Sequence, residues 1–178
     1  MTTPQTRSIR SVISIWIDTY DDIFSDFDPR PYSERTLSID FLNEVRQASK
    51  VKSSGKLELK ILVPKEVRDP QSEEKVIGRL LDYFIHHRDQ SQIEIRAMKR
   101  KGILLTLAGE SLIIGAAYLS KLLSENFWIH LLIVIFEPAG WFMTWAGLED
   151  LIYEVKEKKA EVMFYAKMSS CEIHFWSL

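Results

Sequence analysis

GILLTLAGESLIIGAAYLSKLLSENFWIHLLIVIFEPAGWFMTWAG, residues 102–147, holds two apolar runs parted by the short polar step Ser124-Glu125-Asn126. Each run, 102–123 and 127–147, has about the ~20 residues that a helix needs to cross a hydrocarbon core. So short a connection makes two antiparallel helices the natural arrangement, and the pattern predicts a two-span membrane hairpin. The competing reading is a buried helical hairpin in a soluble protein. It is the weaker one, because a chain of 178 residues has little left to cover two helices that are apolar all round.

The charges outside the two runs give a direction. Arg96, Lys99, Arg100 and Lys101 precede the first run, and Lys156, Lys158 and Lys159 follow the second, with Lys121 alone near the tip. The positive-inside rule then puts both termini in the cytoplasm, in a multi-pass protein whose first partner is the lipid bilayer. Trp128 at one end of the second run, with Trp141 and Trp145 toward the other, suits the aromatic belts of such a span.

Small residues mark one stripe on each helix. Gly102, Gly109 and Ala116 recur at intervals of seven, as do Gly140 and Gly147, with Ala139 and Ala146 beside them. Such stripes let backbones approach closely, within a hairpin or between copies of a chain, and a homo-oligomer is expected. Two acids interrupt the apolar runs, Glu110 and Glu137. Counted back from the tip, they fall within about one turn of the same depth. Glu110 follows Gly109 and Glu137 comes three residues before Gly140, so both are expected on the packing side. Intramembrane carboxylates are costly and seek a partner, a cavity or water. A coupled proton- or cation-responsive pair, with His130 and Thr144 as accessories, is one reading. Two protonated acids that only fix helix register is the other. Pro138, directly after Glu137, removes a backbone donor and predicts a kink.

The flanks carry strand and helix patterns. VISIWID alternates Ile13, Ile15 and Ile17; KLELKILV alternates Leu57, Leu59, Ile61 and Val63; CEIHFW alternates Cys171, Ile173 and Phe175. Between the first two, Ser38 is a helix cap, and Leu37, Phe41, Val45 and Ala48 form a stripe that ends in the loop 50–55. Asp69-Pro70 opens a long amphipathic helix with Val76, Leu80, Tyr83, Phe84 and His87 on its stripe, and nothing before Gly102 obliges it to stop. The fold class expected is therefore an α+β membrane protein, with the transmembrane hairpin inserted in a small cytoplasmic α/β domain. Its order is β-α-β, long helix into span one, span two into a long helix, then a last strand. The domains are 1–69 with 168–178 for the α/β part, 70–101 with 148–167 for a helical stalk, and 102–147 for the hairpin.

Composition supports this and removes other classes. The whole chain is 46% apolar and 27% charged with a net charge of −2, an average that hides the apolar centre. Residues 88–101 hold five bases against two acids, too short a basic run beside an apolar segment to be a nucleic-acid footprint. A single cysteine, Cys171, leaves no internal disulfide and no multi-cysteine metal motif. The N-terminal apolar run is short and ends in Asp18, which reads as a strand and not a signal peptide. No GxGxxG, P-loop, HExxH, CxxC or GxSxG is present. Adjacent His86 and His87 point to different sides of a helix.

Three functions remain. The first is a non-enzymatic oligomeric anchor, scaffold or signalling component whose cytoplasmic domain binds a protein partner, with no cofactor. The second is a small proton- or cation-responsive channel or transporter component using Glu110 and Glu137. The third is a membrane-tethered enzyme with a divalent metal on the acidic stretch DTYDDIFSDFD (18–28). Asp18 ends the first strand there, where α/β folds place ligands, and Asp21 and Asp22 could add oxygens. The interleaved aromatics favour a solvated turn instead.

Overall fold

The computed structural model describes residues 11–51, 57–122 and 127–177. The hairpin tip at 124–126 and most of the loop expected at 50–55 lie outside them. The described chain is mostly helical, with a three-stranded sheet. In order it forms β1 (Ser11–Trp16), α1 (Ile39–Val51), β2 (Leu57–Val63), α2 (Pro70–Leu122), α3 (Phe127–Glu149), a π-helical turn (Asp150–Glu154), α4 (Val155–Met168) and β3 (Glu172–Ser177). Two compact units result, one reaching to Asp89 and resuming at Val162, the other Gln90–Glu161.

In the first unit the strands lie in the order β1-β2-β3, and all are parallel. Ile13 pairs with Leu59 and Leu59 with Ile173; Ile15 pairs with Ile61 and Ile61 with Phe175. Because side chains alternate across a strand, this register gathers the apolar set on one face. There Ile13, Leu59, Ile61 and Val63 are fully buried against Phe41 and Val45 of α1, Val76, Leu80 and Phe84 of α2, and Phe164, Tyr165 and Met168 of α4. The opposite face shows Ser14, Lys60 and His174 in one row and Trp16, Leu62 and Trp176 in the next. Both tryptophans are about half exposed, and Lys60 Nζ stands 4.4 Å above the Trp176 ring.

The segments expected as a stalk are thus divided. Residues 70–89 and 162–167 belong to the α/β unit because Val76, Leu80, Phe84, Phe164 and Tyr165 fill its core. Leu37 also differs from its expected place in a helical stripe. It precedes α1 and forms an antiparallel bridge with Phe24, while the Ser38 carbonyl accepts the first α1 bond from Leu42 N–H.

α2 begins as the sequence suggests. Asp69 accepts from the Gln71 and Ser72 amides and from the Ser72 hydroxyl, so the first turn is capped. Its first-turn Glu73 is buried and held on two sides. Tyr20 donates its hydroxyl to Glu73 Oε1 at 3.1 Å, and Arg68 grips both carboxylate oxygens at 2.5 and 2.9 Å. The Asp69 amide in turn donates to the Tyr20 oxygen. This network ties the chain after β1 to the start of the long helix.

Candidate functional site: the glycine-packed hairpin and its carboxylates

The second unit is built on a close backbone approach. A Cβ placed on Gly102 would stand 2.9 Å from the Gly147 carbonyl oxygen, and one on Gly147 would stand 2.6 Å from that of Gly102. Gly109 and Gly140 repeat the reciprocity at 2.5 and 2.8 Å. These are separations no side chain tolerates, so at all four positions glycine is required by space. Gly102 faces Gly147 and Gly109 faces Gly140, which is one antiparallel register held at two points seven residues apart. Thr106, Ile113, Thr144 and Leu151 fill the seam between them. Ala116 is fully buried, and Gly115 faces open space.

Two seam groups are polar. Thr106 returns its hydroxyl to the Gly102 carbonyl at 2.9 Å, as a threonine within a helix often does. The Thr144 hydroxyl is buried against Gly109 and meets no hydrogen-bond partner among the described residues. Below the glycines, Asp150 opens the π-helical turn, is itself buried, and holds Lys101 at 3.0 Å. Its carboxylate keeps the Lys101 ammonium protonated to a higher pH than an ordinary lysine. Asp150 stands three residues after Gly147, within about 60° of its line on the helix, where the apolar seam ends. Further along, Lys158 bridges Glu94 and Glu161, each at 2.7 Å, joining α2 to α4 within this unit.

The acids inside the apolar runs stand differently from the expectation. Glu110 and Glu137 are both exposed on the outer surface and not on the packing side. For Glu110 the reason is helical phase, since it is turned about 100° from Gly109. Glu137 lies seven residues before the buried Thr144, in phase with the seam, and is exposed nonetheless. The glycine register sets residue 110 opposite 139, so the two carboxylates lie about 3 Å apart in level along the hairpin. No hydrogen bond or ion pair joins them among the described residues, so their expected pairing is not seen within one chain. His130 is exposed as well.

The acidic stretch 18–28 does not converge on a metal. Among the described residues no three His, Cys, Asp or Glu side chains come together as a ligand set. The Asp22 carboxylate turns back to accept from the Asp18 and Thr19 amides at 2.8 and 3.0 Å, capping the turn that follows β1. Asp21 is taken by Arg35. Phe24 and Tyr20 are buried, with Tyr32 stacked on Phe24 at 5.2 Å, so these two aromatics of the stretch are core, whereas Phe27 stands exposed. Of the candidate ligands, Asp22 is therefore a cap and Asp21 an ion-pair partner of a packed turn, and Asp18 joins through its backbone amide.

Asp28 is the organiser of the next segment. Arg30 chelates it at 2.9 and 2.7 Å, and the Thr36 amide donates to it at 2.7 Å. These contacts hold its carboxyl far below the usual carboxylate range. An unfolded aspartate titrates near 3.9, so the stabilisation from Asp28 is complete above about pH 4 and is lost as pH falls below it toward the depressed folded value. Asp28→Asn should flatten that part of the acid-unfolding curve, read by circular dichroism between about pH 5 and 2. An unchanged curve would show that the contacts are not held in solution.

No protein family, curated protein or solved structure matches the chain.

Proposed function

We propose that this chain is an integral membrane protein of two spans that works as an oligomeric, non-enzymatic anchor, its α/β unit presenting a binding surface to a cytoplasmic partner. One observation carries the reading. In the most apolar stretch of each long helix only 17% of the residues are buried within the chain. The core helix of a soluble protein would be mostly buried. Here Leu104, Leu107, Ile114, Val134, Trp141 and Phe142 all face outward. An apolar surface so extended needs lipid or protein against it. The cations before residue 102 and after 147 support, by the positive-inside rule, a cytoplasmic side for both chain ends. Alkaline carbonate extraction of membranes from expressing cells tests the reading: the protein should stay in the pellet, and its release would reject membrane anchoring.

A second reading is favoured by the two glutamates. A charge at mid-bilayer on a helix costs about 2.5–3.5 kcal/mol on insertion scales, and two at one level on a lipid-facing surface would roughly double that. Association of several copies that turns this surface inward would relieve the cost and line an interior with carboxylates that take up cations or protons. Flux of protons and monovalent cations into vesicles reconstituted with the protein is the measurement. Glu110→Gln with Glu137→Gln should lower it at least tenfold and remove its pH dependence. Equal flux in wild type and double variant would leave the anchor reading alone.

A further inference from the structure

We propose that a groove on α2 binds one anionic phospholipid, with the phosphate on Arg100 beside Lys101 and an acyl chain lying along Leu104, Leu105 and Ala108. The inference rests on the membrane-spanning reading above and adds a ligand to it. The groove has a volume of about 500 Å³ and is lined by Ala97, Arg100, Lys101, Leu104, Leu105 and Ala108.

All six residues belong to one helix. At 100° per residue, Ala97, Lys101, Leu104 and Ala108 share one narrow face, which lies about 130° around the helix from the glycine seam that meets α3. The groove's chemistry changes along the axis. Arg100 and Lys101 line it with their aliphatic stems, their charged ends lying beyond an almost wholly apolar surface, and from 104 onward the lining residues are apolar throughout. The change takes less than one turn, the distance over which a phospholipid passes from headgroup to chain.

The two cations differ in availability. Lys101 is shared with Asp150 at 3.0 Å. Arg100 is exposed and has no carboxylate partner among the described residues. A guanidinium with both edges open matches two phosphate oxygens, and basic pockets at the cytoplasmic ends of spans are where anionic headgroups bind. A second copy of the chain is a poorer occupant, because a parallel two-fold contact along this face would set Arg100 and Lys101 against the same pair. A zwitterionic lipid would bring a quaternary ammonium toward the same cations.

The full chain, purified in detergent and mixed with equal amounts of phosphatidylglycerol and phosphatidylcholine, can be weighed by native mass spectrometry. One phosphatidylglycerol per chain should be retained at least fivefold over phosphatidylcholine. Arg100→Gln should abolish the preference. Lys99→Gln makes the same charge change on the far side of the helix and should keep it, which separates a site from diffuse attraction. Ala108→Phe, which fills the apolar end without touching charge, should also lose the adduct. Equal retention of the two lipids, equal losses in Arg100→Gln and Lys99→Gln, or an adduct undiminished by Ala108→Phe would each overturn the site. The carbonate extraction keeps the two ideas apart: protein that stays in the pellet but shows no lipid preference rejects the groove alone, and protein released from the membrane rejects the spans.

Discussion

Gly109→Ala should separate α2 from α3 and strongly destabilise the hairpin, although it adds one methyl group. That methyl would stand 2.5 Å from the Gly140 carbonyl oxygen and 2.6 Å from the Thr144 amide nitrogen, and it would press on the Thr144 hydroxyl as well. Two of these neighbours are backbone of a continuous helix, which cannot turn aside as a side chain can. The helices must move apart, and the reciprocal contact of Gly140 with the Gly109 carbonyl is lost with the first. Overpacking a well-filled site costs about 1–3 kcal/mol, and a double backbone clash belongs at the upper end. In lipid the effect would be sharper, since close packing and not hydrophobic drive holds spans together.

Gly115→Ala supplies the control. Nothing lies within 4 Å of a Cβ there, so the same change should be neutral or stabilise by up to about 1 kcal/mol through helix propensity. Thermal unfolding of both variants in the same detergent, followed by circular dichroism, measures the difference. Gly109→Ala unfolding together with Gly115→Ala would contradict the close-packed seam.

Removing Cys171–Leu178 should unfold the α/β unit and not merely shorten it. β3 pairs with β2 from Glu58↔Glu172 to Val63↔Ser177, and its Ile173 and Phe175 are buried in the common core. Phe175 also meets the Tyr20 ring edge-on at 5.6 Å, so its loss reaches the turn after β1. Losing a buried phenylalanine costs about 3–5 kcal/mol and a buried isoleucine about 2–5. Together they consume most of the 5–15 kcal/mol that a domain of ordinary stability holds. Limited proteolysis should cut the truncated chain within 11–89 at protease concentrations that spare the intact protein. The single change Phe175→Ala should lie between the two. Unaltered resistance of the N-terminal half in the truncated chain would refute a sheet shared by both ends.

Much of this architecture was legible because it rests on periodicity. Alternating apolar residues in β1, β2 and β3 marked the strands, and the absence of proline between Pro70 and Leu122 allowed one helix through both units. The sevenfold spacing of glycines marked the seam, although only coordinates could say that Gly102 faces Gly147 and Gly109 faces Gly140. Glu110 departs from its expected place because nearness in sequence to a glycine is not a shared face. A helix turns 100° per residue, so Glu110 beside Gly109 is off the seam for that very reason.

Other parts had no local signal. Asp21 finds Arg35 across a folded turn, and nothing in the spacing of 18–28 separates such pairing from metal ligation. Asp150 meets Lys101 across two helices far apart in sequence, and no residue type announces the π turn that Asp150 opens. Thr106 and Leu151 stand four residues beyond Gly102 and Gly147, the helical spacing that keeps them on the glycine face.

The position of β2 between its neighbours also has a consequence in time. β1 and β2 are made early, but β3 opens only at Glu172, after both long helices have been synthesised. At roughly 5–20 residues per second, a ribosome takes about five to twenty seconds to travel from the end of β2 to the start of β3. Throughout that interval the central strand carries a bare edge of unpaired amides and carbonyls, open to any other strand nearby. β3 closes it, so completion of the sheet reports that everything between has already been made.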